Sequence, residues 1–267
     1  MPFTLKAALL FAAAMTACPV FGFAQGLRIY AAGSLTGAFR EMVQEFPAPP
    51  GAVAAPFFGP SGILREKIEA GEAVDVLASA DMAEPRRLAH GRPVILFTRN
   101  RLCALGRQAV GVTEDNLLPR MLDPAVRLAT STPGADPGGD YAWAMFARAD
   151  TMHPGAQAIL EAKALRLVGG PDTPPLVPGH GAVQGVFLAD RADIMLGYCS
   201  GSASVMKEVP GLVSIAVPPA LSVEPAYGIV VLTDQPLATC FALFVMSEQG
   251  QAILQRHGFD PVGLAPP

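Results

Sequence analysis

The sequence predicts an α/β protein of two lobes, each a mostly parallel sheet flanked by helices, with a ligand cleft between the lobes. Three observations lead there. Strand-like and helix-like patterns alternate along nearly the whole chain, as in layered α/β folds. Two Gly-rich turns that hold a serine, Gly33-Ser34 and Gly59-Pro60-Ser61-Gly62, each join a strand pattern to a helical one. Two long apolar-rich stretches, 94–105 and 223–232, read as strands that cross between the lobes and act as hinges.

The elements follow in order. The first 24 residues read as an export signal, with Lys6 as the positive region and Ala7 to Met15 as a short apolar core. Gly22-Phe23-Ala24 offers small residues around a cleavage site. That core is shorter than the roughly 20 residues a membrane span needs. A competing reading takes Met15-Thr16-Ala17-Cys18 as a lipoprotein cleavage site, with lipid on Cys18. Either way the mature chain leaves the cytoplasm, and its expected location is the periplasm. Strands are expected at 27–31, 53–58, 74–78, 94–98, 101–105, 126–130, 193–198, 212–216 and 227–232. Helices are expected at 35–46, 61–70, 83–89, 115–121, 138–149, 154–164, 181–190, 201–206, 234–247 and 248–257. Pro-rich 171–178 reads as a surface loop. Lobe 1 would comprise 25–99 plus 226–267, and lobe 2 would comprise 100–225.

Composition narrows the function. Hydrophobic residues are 51% of the 267 and charged ones 16%, enough to fill a sizeable core. A net charge of −4 does not fit a nucleic-acid binder. An anion site in such a chain must rely on local dipoles. No CxxC occurs, so neither a zinc ribbon nor a thioredoxin-like motif is supported. In an oxidising compartment one disulfide is expected, Cys103 with Cys199, because both lie in strand-like runs. The alternative is three buried free thiols.

The serine turns carry the chemistry. A hydroxyl and backbone N–H groups presented together before a helix hold an anion. In parallel α/β sheets ligands bind at the carboxyl ends of strands, where these turns sit. Singly, each serine could be only a helix cap. Enzymatic patterns are weak. The glycines 179, 181 and 185 miss dinucleotide-binding spacing by one residue, and no GxxxxGK[ST] exists. Ser61 lacks the flanks of a nucleophile elbow, and the four histidines show no paired metal spacing. No catalytic residue is expected.

The chain resembles the periplasmic solute-binding proteins of molybdate and tungstate uptake systems, members of the type II binding-protein family, over nearly all of residues 26–260. Ala31-Ala32-Gly33-Ser34-Leu35-Thr36 looks like the family's first ligand loop, with Ser34 as its serine. Phe58-Gly59-Pro60-Ser61-Gly62, with Ile68-Glu69-Ala70-Gly71 and Ser79-Ala80-Asp81, looks like the second, with Ser61 as its serine. Asp136-Pro137-Gly138-Gly139-Asp140-Tyr141 is similar to a loop whose backbone N–H meets the anion, and Gly138 matches that position. Ala192 to Tyr198 looks like the strand that ends in a ligand tyrosine. His180 falls where another backbone N–H is donated. Ser247-x-x-Gly250-Gln251 and His257-Gly258-Phe259 resemble the family's C-terminal helix.

The resemblance implies a monomer that captures a tetrahedral oxyanion for the permease of an ABC transporter, with no cofactor beyond that ligand. Asp136 offers a metal-ligand alternative, since one branch holds tungstate octahedrally through a carboxylate there. The second carboxylate of that branch would fall near Gly197, which has no side chain to coordinate. The same pattern would also suit a binding protein for sulfate, phosphate or a metal ion, or an exported sensor or scaffold of the same fold.

Overall fold

The computed structural model describes residues 26–173 and 176–262. The expected export signal and Cys18 fall outside the described residues, as do two prolines of the Pro-rich loop. In chain order the elements begin with β1 (Ile29–Ala32), α1 (Thr36–Glu45), β2 (Phe57–Gly59), α2 (Ser61–Glu69), β3 (Val76–Ser79), α3 (Ala83–Leu88) and β4 (Val94–Arg99). The middle of the chain forms β5 (Leu102–Arg107), α4 (Leu117–Leu122), β6 (Leu128–Ser131), α5 (Pro137–Met152), α6 (Ala156–Lys163), β7 (Leu165–Val168), α7 (Ala182–Leu188), β8 (Ile194–Tyr198), α8 (Cys199–Glu208) and β9 (Leu212–Ala216). The last described part forms β10 (Ala226–Val231), α9 (Pro236–Met246), α10 (Glu248–Arg256) and β11 (Asp260–Pro261).

Two sheets result. One has the order β11-β4-β10-β3-β1-β2, and the other β7-β6-β8-β5-β9. The chain passes from the first to the second between β4 and β5, and returns between β9 and β10. Both sheets are mixed rather than mostly parallel. β1 runs parallel to β2 and β3, and β6 parallel to β7 and β8. β10 runs antiparallel to β3 and β4, and β5 antiparallel to β8 and β9. The reason lies in the crossings. A strand that arrives from the other sheet starts at the end facing it, so it opposes strands that were delivered by helices from the far end.

Each sheet buries both faces. Against the first, α1 sets Phe39 and Met42 and α9 sets Phe241 and Val245 into one core, while Leu64 and Leu88 cover the opposite face. Phe39 and Phe46 meet Phe241 edge-on at centroid distances of 5.9 and 5.3 Å. Truncating such a buried Phe to Ala costs about 3–5 kcal/mol. Phe146 and Leu160 cover one face of the second sheet, and Phe187 and Val205 the other. A disulfide joins Cys103 of β5 to Cys199 at the start of α8, with Cα atoms 4.9 Å apart. Cys240 is free and exposed rather than buried.

Candidate functional site

Contacts between the sheets gather at the carboxyl ends of β1, β2, β3, β6 and β8, and the space where they meet is the candidate cleft. Register fixes the two serines. Ala32 pairs with Gly59, so Ser34 and Ser61 each stand two residues beyond a paired position on adjacent strands. Ser34 follows β1 in a short 3₁₀ turn, Gly33–Leu35, and its Oγ lies 2.9 Å from the hydroxyl of Tyr227. Pro60 precedes the first turn of α2, and Ser61 opens that helix at 1% exposure. The Ala80 N–H donates to Ser61 Oγ at 3.1 Å.

Tyr198 is delivered from the other sheet as the last residue of β8. Its ring lies 5.8 Å from that of Tyr227 and 6.5 Å from that of Tyr141, and it packs against the cores of both sheets. Its hydroxyl is buried and has no partner in good hydrogen-bond geometry; the Tyr227 hydroxyl is its nearest polar neighbour and interacts with it weakly. Buried polar atoms are nearly always paired, and leaving one unpaired costs roughly 1–3 kcal/mol. Burial also drives its acidity constant well up, so the group keeps its proton and stands as a donor.

α5 closes the cleft from the same side. Asp136 is its N-cap, with Pro137 in the first turn, and the Gly138 N–H donates to Asp136 Oδ1 at 3.0 Å. The backbone N–H expected to meet an anion is therefore engaged by a carboxylate. Part of Asp136 stays accessible, yet its carboxyl is buried deeply enough to push its pKa up to about 6. The carboxylates of Asp140 and Asp81 push the same way, while the Gly138 N–H and the Ser131 hydroxyl pull it down. Gly169 sits beside it at φ +78°, where a Cβ would come within 2.4 Å of Asp136 Oδ2. Only glycine fits there.

Two bonds tie the sheets together over this space. The Gly62 N–H donates to the Ala135 carbonyl at 3.0 Å, and the Tyr141 hydroxyl donates to the Ala80 carbonyl at 3.2 Å. A Cβ on Gly62 would lie 2.8 Å from both the Gly134 and Ala135 oxygens, so glycine lets the elements approach.

Four expected residues are linked by contacts: Ser34 and Tyr198 both adjoin Tyr227, Ser61 bonds Ala80, whose carbonyl Tyr141 holds, and a Cβ on Gly138 would touch the Tyr198 ring at 3.5 Å. His180 has partners of its own. It is exposed ahead of α7, its ring bonds the Glu208 carboxylate, and its N–H donates to the Val177 carbonyl at 3.3 Å. Asp136 has no metal-binding company: among the described residues no group of three or more His, Cys, Asp or Glu is placed to hold a metal ion. A separate cavity of about 460 Å³ lies at the opposite ends of β1 and β3, lined by Arg28, His90 and Arg92 among others. Its arginines are already paired with Asp75 and Asp234, so it offers no free donor set. Tyr227, Asn100 and Tyr141 join the cleft without having been singled out as site residues from the sequence.

Comparison with known proteins agrees with this architecture. A Pasteurella multocida protein, the uncharacterized protein PM1146, is 34% identical over 243 residues, covering 88% of this chain and 98% of its own length. The molybdate-binding protein ModA of Escherichia coli is 28% identical over 238 residues, covering 87% and 88% respectively. Among solved structures, the sulfate-binding protein SubI of Mycobacterium tuberculosis superposes with a TM-score of 0.71 at 15% identity, over 89% of this chain and 87% of that one. The family profile described as bacterial extracellular solute-binding protein matches residues 27–260, and the chain belongs to that family.

Proposed function

We propose that this protein captures a tetrahedral oxyanion, molybdate with tungstate close behind, in the periplasm and delivers it to the permease of an ABC importer. One observation carries the reading. The Tyr198 hydroxyl is buried and keeps its proton, with only the neighbouring Tyr227 hydroxyl to turn to and no partner in good hydrogen-bond geometry, while two serine hydroxyls already have protein partners. An acceptor-only ligand resolves that arrangement, because each hydroxyl has a proton to give. Neutral donors at strand-to-helix turns suffice to hold an anion. The relative named for molybdate binding supports the choice of ligand. Donors spaced for a large oxyanion leave groups unpaired around a smaller one, which disfavours sulfate.

In this reading the ligand meets Ser34, Ser61 and Tyr198, and the N–H groups of Gly138 and His180 join once their present partners release them. The lobes in this reading are residues 25–99 with 226–267, and residues 100–225. A second reading, phosphate, is favoured by Asp136, whose carboxylate at the cleft can accept a proton carried by the ligand. Calorimetric titration of the mature protein with molybdate, tungstate, sulfate and phosphate decides among them. Tight one-to-one binding of the first two is expected, with loss in the double variant Ser34→Ala plus Ser61→Ala. Retained affinity in that variant refutes the site, and silence with all four anions refutes the function.

A further inference from the structure

Ser34 is tied to a chain of side chains that reaches the joint between the sheets. Asn100 lies where the chain crosses from β4 to β5 and is 1% exposed. Its backbone N–H donates to the Pro225 carbonyl of the return crossing at 2.9 Å, so both crossings meet at this residue. Its side-chain Oδ1 accepts the Arg101 N–H at 2.8 Å. A backbone N–H can only donate, so the amide orientation is fixed and Nδ2 is the outward donor. Nδ2 gives one proton to Ser200 Oγ at 2.9 Å and the other to the Tyr227 hydroxyl oxygen at 3.2 Å.

That fixes Tyr227 in turn. Its ring is fully buried, edge-on to Phe97 at 6.2 Å and to Phe259 at 5.5 Å, and cannot turn away. Its oxygen accepts from Asn100, and its own proton faces Ser34 Oγ at 2.9 Å. Either hydroxyl could donate; the phenol is the more acidic of the two, so we assign the shared proton to Tyr227 and the acceptor role to Ser34. The Ser34 proton is then left over for the cleft. Ser61 is arranged alike, because the Ala80 N–H fills its acceptor side.

We propose that Asn100 and Tyr227 are positioning residues that polarise Ser34 as a donor, so that the site admits only an unprotonated oxygen at that point. The inference rests on the proposed anion-binding role of Ser34 and adds the two residues that set its direction. Neither needs to touch the ligand. They also place the polarity of the site under the control of the joint, since the same amide holds the crossing segments together.

The test is a double-mutant cycle read by calorimetric titration with molybdate. Tyr227→Phe keeps the ring and its packing and removes only the hydroxyl. It should weaken binding roughly tenfold when Ser34 is present and less than about twofold in a Ser34→Ala background. Equal losses in both backgrounds would mean a merely structural role and overturn the proposal. Asn100→Asp supplies a second variant: the new carboxylate accepts a hydrogen bond from the Tyr227 hydroxyl, which keeps its proton, turns the Ser34 proton toward the Tyr227 oxygen, and should weaken binding in the same Ser34-dependent manner. Should the wild type bind none of the four anions, the proposed function fails by itself, and the cycle is read instead from unfolding temperatures. There, coupled losses for Tyr227→Phe and Ser34→Ala support the chain of bonds, and additive losses overturn it.

Discussion

An ionised carboxylate beside a bound dianion is unfavourable, and in the proposed site Asp136 would hold that position. Its pKa of about 6 in the folded protein compares with roughly 3.9 for an unperturbed Asp. The difference, about two units, corresponds to at most about 3 kcal/mol against the ionised form, less some relief because part of the residue remains accessible. A raised folded pKa gives stability that is fully present below the unfolded value and is lost as pH rises through about 6. A dianion entering the cleft raises the penalty further, so binding above pH 6 draws in a proton. Uptake of one proton changes affinity by up to about tenfold per pH unit, hence up to roughly 100-fold between pH 6 and 8. Asp136→Asn keeps the cap, because Asn serves as an N-cap as well as Asp does. The variant should bind molybdate with nearly the same affinity from pH 6 to 8 and should exceed the wild type at pH 8 by about tenfold or more. Calorimetry in two buffers of different ionisation enthalpy counts the protons directly. No proton uptake by the wild type, or an unchanged slope in Asp136→Asn, refutes the reasoning.

Two further outcomes follow from features of the cleft. Tyr198→Phe removes an unpaired buried hydroxyl, so the ligand-free variant should be more stable by about 1 kcal/mol while binding molybdate at least roughly tenfold more weakly. Thermal unfolding with and without molybdate checks both signs, and a destabilised empty variant refutes the account. The Cys103–Cys199 bridge spans 96 residues, for which chain entropy gives about 4–5 kcal/mol. Reductant should lower the unfolding temperature by about 10 °C in a domain of this size, and Cys199→Ala should abolish that response.

Much of this was legible in the sequence because it rests on local pattern. Each expected strand and helix has a counterpart, since glycine turns and apolar runs punctuate the chain clearly. β7 was not, because Leu165–Val168 is a short edge strand with two of its four residues exposed. β11 is two residues including Pro261, and it exists only through pairing with Arg99 and Thr98 of β4. The serine turns could be read because strand ends and helix starts announce them. Asp136-Pro137 carries a legible signal too, a capping residue before a first-turn proline, but its capture of the Gly138 N–H needs the helix to be in place. Tyr227 and Asn100 could not be read at all. They lie 127 residues apart and meet only where the two crossings run side by side. The exposed setting of His180 likewise depends on Glu208, 28 residues away.

The place of β10 has a consequence for how the protein assembles. The second sheet is drawn from one continuous stretch, β5 to β9, and holds every partner it needs. The first sheet has β10 wedged between β3 and β4. Until residues 226–231 arrive, β3 and β4 each present an open edge, and the loop to be closed before they are joined includes the whole second sheet. Contact order therefore favours an ordered assembly, in which the stretch from β5 to β9 is expected to pair first and the sheet whose strands lead into both serines to close last, when β10 enters between β3 and β4.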